Sequence, residues 1–122
     1  NANDLSAVFR LTYGGFAALF MGDAPAAVEE LLVRRHGDGL RAQVLKVGHH
    51  GSATSTSESF LAAVDPEVAL VSVGRRNRYG HPAPAVVRRL ERHGVRILRT
   101  DLSGHVALRV QPDGRIEVET TR

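Results

Sequence analysis

The sequence contains no cysteine and no tryptophan. Without cysteine there is no disulfide scaffold, no zinc finger, no iron–sulfur site and no thiol nucleophile. Aromatic residues are 5% of the chain, so stacking platforms for single-stranded nucleic acid are scarce. No apolar run approaches the length that spans a bilayer. Internal repeats, low-complexity tracts and linkers are also missing. The most polar stretch, Ser52-Ala53-Thr54-Ser55-Thr56-Ser57, is too short to separate domains. What is present is an ordinary globular composition, 43% hydrophobic and 24% charged over 122 residues. That length fits one small domain or part of a larger one. The chain opens Asn1-Ala2-Asn3-Asp4, without an initiator Met or a signal-like segment, as expected of a piece of a longer protein.

The net charge of +3 is unevenly distributed. Residues 1–74 carry five basic and eight acidic side chains. Residues 75–99 carry eight arginines against Glu91 alone. Lys46 is the single lysine among 16 basic residues. Arginine offers a planar fork of donors suited to phosphate and carboxylate. The bland reading of the cluster is a solvated helix face with strand ends.

Periodicity predicts alternating strands and helices. Ser6 to Thr12 and Phe16 to Met21 read as a hairpin turning at Tyr13-Gly14-Gly15. A helix then carries Val28, Leu31 and Leu32, with Asp23 as a candidate cap, Pro25 in its first turn and Gly37 as its stop. Val44 to Val47 is a short buried strand. Ser55 and Glu58 form a capping-box pattern before a helix with Phe60, Leu61 and Val64. Val68 to Val73 is a strand with no polar face, as in a sheet covered on both sides. Pro84 to His93 is a helix, and Val95 to Leu98, Gly104 to Val110 and Arg115 to Glu119 are strands. The expected fold is an α/β or α+β layered domain spanning residues 1–122.

Three polar spots follow buried strands: Gly22-Asp23, Gly48-His49-His50-Gly51-Ser52 and Asn77-Arg78-Tyr79-Gly80-His81-Pro82. Strand ends let a rigid sheet aim polar groups into a shared cleft. Asp23 reads either as a helix cap or as a ligand for a divalent metal. His49 and His50 lie between glycines that permit close approach of a ligand. On a strand they would face opposite ways, so one of the two is the candidate ligand or acid–base group. His81 could contact a phosphate or orient a water, or it could be part of a Gly–Pro turn. His36, His93 and His105 read as surface or structural, and Asp101 is a weaker candidate at another strand end. One Asp and one His are too few for a catalytic zinc site, which takes three protein ligands.

The segments LKVGHHGS (Leu45 to Ser52) and NRYGHP (Asn77 to Pro82), combined with Gly22-Asp23, resemble the C-terminal half of the metallo-β-lactamase-like domain of ComEC-type DNA-uptake (competence) proteins. The resemblance runs from about Asp4 to Leu108. It implies an αββα sandwich whose metal site lies at one edge of two packed sheets. Asp23 matches the family's metal-bridging Asp, and the His49-His50 pair matches its final metal ligand. The family's HxHxDH motif is absent from this sequence, so the chain is expected to be the C-terminal portion of a domain whose N-terminal half lies elsewhere. The resemblance further implies a zinc- or manganese-dependent hydrolase, a phosphodiesterase or nuclease, in a membrane-embedded parent at the extracytoplasmic face of the bacterial membrane. Its catalytic residues would be Asp23, His50 and His81. DNA is the implied partner, contacted by Arg75, Arg76, Arg78, Lys46 and Ser52. Alternatives are a non-catalytic nucleic-acid-binding or structural module and a metallo-hydrolase of a small ester. This chain alone is expected to bind metal weakly or not at all and to be inactive. An inner sheet face left bare by a missing half would favour association with another chain, including a second copy.

Overall fold

The computed structural model describes residues 5–122. Seven strands and four helices alternate along them: β1 Phe9–Tyr13, β2 Phe16–Phe20, α1 Ala26–His36, β3 Val44–Lys46, α2 Glu58–Val64, β4 Val68–Val71, α3 Pro84–Arg92, β5 Arg96–Arg99, α4 Thr100–Ser103, β6 Val106–Val110 and β7 Ile116–Thr120. The first five strands form one sheet in the order β1-β2-β3-β4-β5. β1 and β2 are the antiparallel hairpin, and β2 to β5 run parallel. β6 and β7 make a separate antiparallel pair. The fold is thus mixed α/β. No helix among the described residues is long and apolar enough to cross a membrane.

The alternation of side chains explains both layers. Leu19, Leu45, Ala69 and Val71 point to one face, where Phe60, Leu61 and Val64 of α2 and Val86 and Leu90 of α3 cover them. Ala18, Val44, Val68 and Leu98 point to the other, where Val106, Leu108, Ile116 and Val118 of the β6–β7 pair pack. Each fully buried Leu or Phe in these layers contributes roughly 1.5–3 kcal/mol. Burial on both sides is why β3 and β4 show no polar alternation. The inner face expected to be bare is therefore covered over its centre. Among the described strands, edge strand β1 leaves an apolar row exposed, with Phe9, Leu11 and Tyr13 at 57%, 56% and 61%. Phe9 stacks on Phe20 at 4.7 Å between ring centroids.

Two local readings are corrected. Ser55 does not cap α2; its hydroxyl donates to the Ala24 carbonyl at 2.8 Å. Ser57 caps instead, its Oγ accepting from the Phe60 N–H. Asp23 does not cap α1, because the helix begins later, with Pro25 in the capping position. The local sequence favours several small polar residues about equally at these points, and tertiary contacts choose among them.

The contact that chooses is a buried carboxylate. Glu29 on α1 is fully buried and accepts from the N–H groups of Thr56 and Ser57, the latter at 2.9 Å. Arg89 on α3 donates to the Thr56 carbonyl at 2.7 Å. Thr56 is held at φ +61°, a conformation that costs a non-glycine residue about 1–2 kcal/mol. Burial pushes the Glu29 carboxyl above its ordinary range, and the two N–H donors and Arg89 oppose that. Nothing in the local pattern marks this group, since an acid in the first turn of a helix usually faces solvent.

The start of α4 makes a second polar link. Thr100 Oγ1 accepts from the Val73 N–H and donates to the Val73 carbonyl, both at 2.8 Å. Asp101 pairs with Arg99 through two bonds of 3.0 and 2.7 Å, which hold its carboxyl below its ordinary value. Asp101 is thus a structural partner.

Two outcomes follow. Replacing Glu29 by Ala leaves two buried N–H groups without partners and should cost about 2–4 kcal/mol in urea unfolding; a loss near ~0.5 kcal/mol, as at an ordinary surface site, would refute the role. A depressed carboxyl stabilises the fold fully above its unfolded value of 3.8 and loses that contribution as pH falls from there through its lower folded value. Asp101→Asn should therefore cost about 1–2 kcal/mol at neutral pH and flatten the decline in stability below about pH 4. Parallel acid limbs for the two proteins would count against the pair.

Candidate functional site

Loops leaving the carboxyl ends of parallel strands β2, β3 and β4 converge at one edge of the sheet, where open α/β sheets bind ligands. The first carries Gly22 and Asp23, the second Gly48 to Gly51, the third Gly74 to Pro82. Backbone bonds lock them together. The His49 N–H donates to the Gly22 carbonyl at 2.7 Å, and the Ala83 N–H donates to the Gly51 carbonyl at 2.8 Å.

The glycines at these contacts have steric reasons. A Cβ on Gly51, at φ +84°, would lie 2.5 Å from Pro82 Cβ and 2.8 Å from Pro82 Cα. A Cβ on Gly48 would meet the Ala24 carbonyl oxygen at 3.3 Å. Between them, His49 and His50 both sit in the left-handed region, at φ +50° and +55°. They lie in a tight 3-10 turn, so strand alternation does not apply to them. Two consecutive non-glycine residues there store strain of the kind concentrated at functional sites.

The histidines are then distinguished. His50 Nδ1 donates to the Ser72 carbonyl at 2.6 Å. In the neutral imidazole that bond places the proton on Nδ1 and leaves the Nε2 lone pair free, the tautomer of a metal-ligating imidazole with its outer partner in place. Nε2 lies 3.9 Å from Asp23 Oδ1. Both side chains are about half exposed, at 51% and 46%. The His49 ring lies 5.9 Å from that of His81 and 6.5 Å from that of His50. Nδ1 of His49 and Nδ1 of His81 are both buried without a protein hydrogen-bond partner. Burial first, then the neighbouring His49 and His50, hold the His81 imidazole below its ordinary value.

Asn77 organises the third loop. Its Oδ1 accepts from the His81 N–H at 2.9 Å and its Nδ2 donates to the His81 carbonyl at 3.0 Å. This pairing, inside the NRYGHP segment, is a positioning role that reading the segment for charge and histidine did not single out. Tyr79 stacks on His81 at 5.8 Å and is 82% exposed. A cavity of about 280 Å³ lies among His50, Ser72, Asn77, Tyr79 and His81.

The remaining predicted residues fall into two groups. Arg75, Arg76 and Arg78 are exposed on the third loop. Lys46 is half buried near Asp23; burial lowers its ammonium from the ordinary value, and Asp23 opposes this. Ser52 is buried, and its hydroxyl pairs with Thr54 Oγ1 at 2.9 Å, so it faces the loop interior. Among the described residues no group of three His, Cys, Asp or Glu side chains converges as a metal cage. Asp23 and His50 fit part of one: two donors, the imidazole in the right tautomer, at a separation that a shared ion could bridge with a small adjustment.

The chain matches no family model. It is 51% identical over 102 residues to competence protein ComA of Neisseria gonorrhoeae, a match covering 84% of this chain and 15% of that protein. The chain is similar to a segment of bacterial competence proteins. It is 39% identical over 107 residues to ComE operon protein 3 of Bacillus subtilis, covering 88% of this chain and 14% of that protein. It is 39% identical over 120 residues to recombination protein 2 of Haemophilus influenzae, covering 98% of this chain and 15% of that protein. The chain thus spans about 15% of the length of the curated relatives it matches. These likenesses support a relationship to the competence DNA-uptake family.

The Gly51–Pro82 contact is testable. Gly51→Ala combines left-handed strain with a clash against backbone and should cost about 2–4 kcal/mol in urea unfolding. Stability within ~0.5 kcal/mol of the parent would show that the two loops are not docked this tightly.

Proposed function

We propose that this chain is the C-terminal part of a metal-dependent phosphodiesterase domain that acts on DNA in a competence protein. The observation that carries the reading is His50, whose proton is fixed on Nδ1 by Ser72 while Nε2 faces Asp23. Asp23 and His50 would hold the metal. A bound divalent ion supplies Lewis acidity and an acidified water. With two donors here and three needed, the remaining ligands would come from another segment of the parent, the N-terminal half of the same domain.

The other residues act on the substrate. His81, whose imidazole is held below its ordinary value, would orient a phosphate oxygen, and Asn77 fixes the backbone that carries it. Arg75, Arg76 and Arg78 would neutralise the strand with little sequence preference. The similarity to competence proteins supports DNA as the substrate, and the parent is then a membrane-embedded protein with this domain on the extracytoplasmic face.

The test uses the parent protein and a 5′-labelled single-stranded oligonucleotide with manganese or zinc. Asp23→Asn and His50→Gln should each lower cleavage by at least about 100-fold and reduce bound metal, while DNA affinity changes less than about twofold. Cleavage at the parental rate in either variant overturns the reading. DNA binding with neither metal content nor cleavage in the unaltered protein also overturns it, in favour of a non-catalytic nucleic-acid-binding module.

A further inference from the structure

A second, larger groove adjoins the site. It encloses about 870 Å³ and shares the wall formed by Ser72, Val73 and Gly74 with the smaller cavity beneath His50 and His81. Its basic side chains are Arg75, His105 and Arg122, and no carboxylate side chain lines it. The nearby acid, Asp101, is already bonded to Arg99. The three basic residues come from three separate segments: the loop after β4, the corner between α4 and β6, and the residues after β7.

The corner is built to hold the third of these. The Thr121 N–H donates to the His105 carbonyl at 3.2 Å, and the Arg122 N–H donates to the Ser103 carbonyl at 3.0 Å. Thr121 Oγ1 accepts from the His105 N–H at 3.0 Å. Gly104, at φ +71°, leaves the space that Thr121 Oγ1 occupies; a Cβ there would collide with it. Arg122 is thereby set on the groove wall facing the same space as Arg75.

We propose that this groove is the track for the backbone of a single nucleic-acid strand that continues from the His50–His81 cavity. The inference rests on the phosphodiesterase reading for the identity of the strand and extends it to residues outside that site. Phosphates would pass Arg75, His105 and Arg122. One base would stack on Tyr79, whose ring is open to solvent and backed by His81. A single strand fits because its bases are free to splay onto an aromatic ring, whereas duplex bases are not.

The probe is fluorescein-labelled dT12, followed by anisotropy with this chain in EDTA across a salt titration, with a 12-base-pair duplex alongside. The Arg75→Ala/Arg122→Ala variant should weaken dT12 binding by about tenfold and reduce the log–log salt slope by about 1.4, at roughly 0.7 per phosphate contact. Tyr79→Ala should weaken dT12 by about tenfold and leave the slope unchanged, and Tyr79→Phe should restore binding. Circular dichroism of each variant confirms that these exposed positions leave the fold intact. Parental affinity and slope in the double variant, or duplex bound as tightly as dT12, overturns the track. EDTA separates the two ideas. A reduced slope without metal-dependent cleavage in the parent removes the enzyme and keeps the groove, while an unchanged slope with Asp23-dependent cleavage removes the groove alone.

Discussion

The close approach of Gly51 to Pro82 is the contact on which the site depends. It lets the turn after β3 and the loop after β4 press together with no side chain between them. The Ala83–Gly51 hydrogen bond closes that approach from the other side. Once the two loops are joined, His49 and His81 are neighbours and His50 is turned toward Ser72 and Asp23. The left-handed backbone at both histidines is affordable only because flanking glycines and the Gly22 carbonyl hold the turn from both ends.

Farther back, polar groups buried among the helices hold the base of the same loops. Glu29 ties α1 to the backbone before α2, and Arg89 ties α3 to the same peptide. Glu58 continues the link on the surface, accepting from Arg92 at 2.7 Å and meeting His93 Nε2 at 2.7 Å, which lowers its carboxyl from the ordinary value. The chain just beyond the histidine turn is therefore anchored by groups several residues away from it.

Much of the architecture was legible. The hairpin turn at Gly14-Gly15, the helix opened by Pro84 and the paired strands at the end all follow from local turn chemistry and alternation. The apolar stretch of β4 implied a sheet covered on both faces, and the two packed layers bear this out. The caps were misread because Ser52 to Ser57 offers several interchangeable hydroxyls, and the Glu29 carboxylate that selects among them lies far away in sequence. The short helix α4 escaped because four residues carry no periodicity.

By itself, the sequence determined which residue types stand at the strand ends: Asp23 after a glycine, two histidines between glycines, and His81 in an arginine-rich loop. It could also determine that two such donors are short of a full metal cage, since ligand counting needs no coordinates. Only the tertiary structure gives His49 and His50 different surroundings. Tautomer and direction are set by a carbonyl 22 residues away, on Ser72. It also decided that Arg75, His105 and Arg122 share a groove. Charge proximity of that kind arises from strand order and a glycine corner, and neither is encoded in any local run of residues.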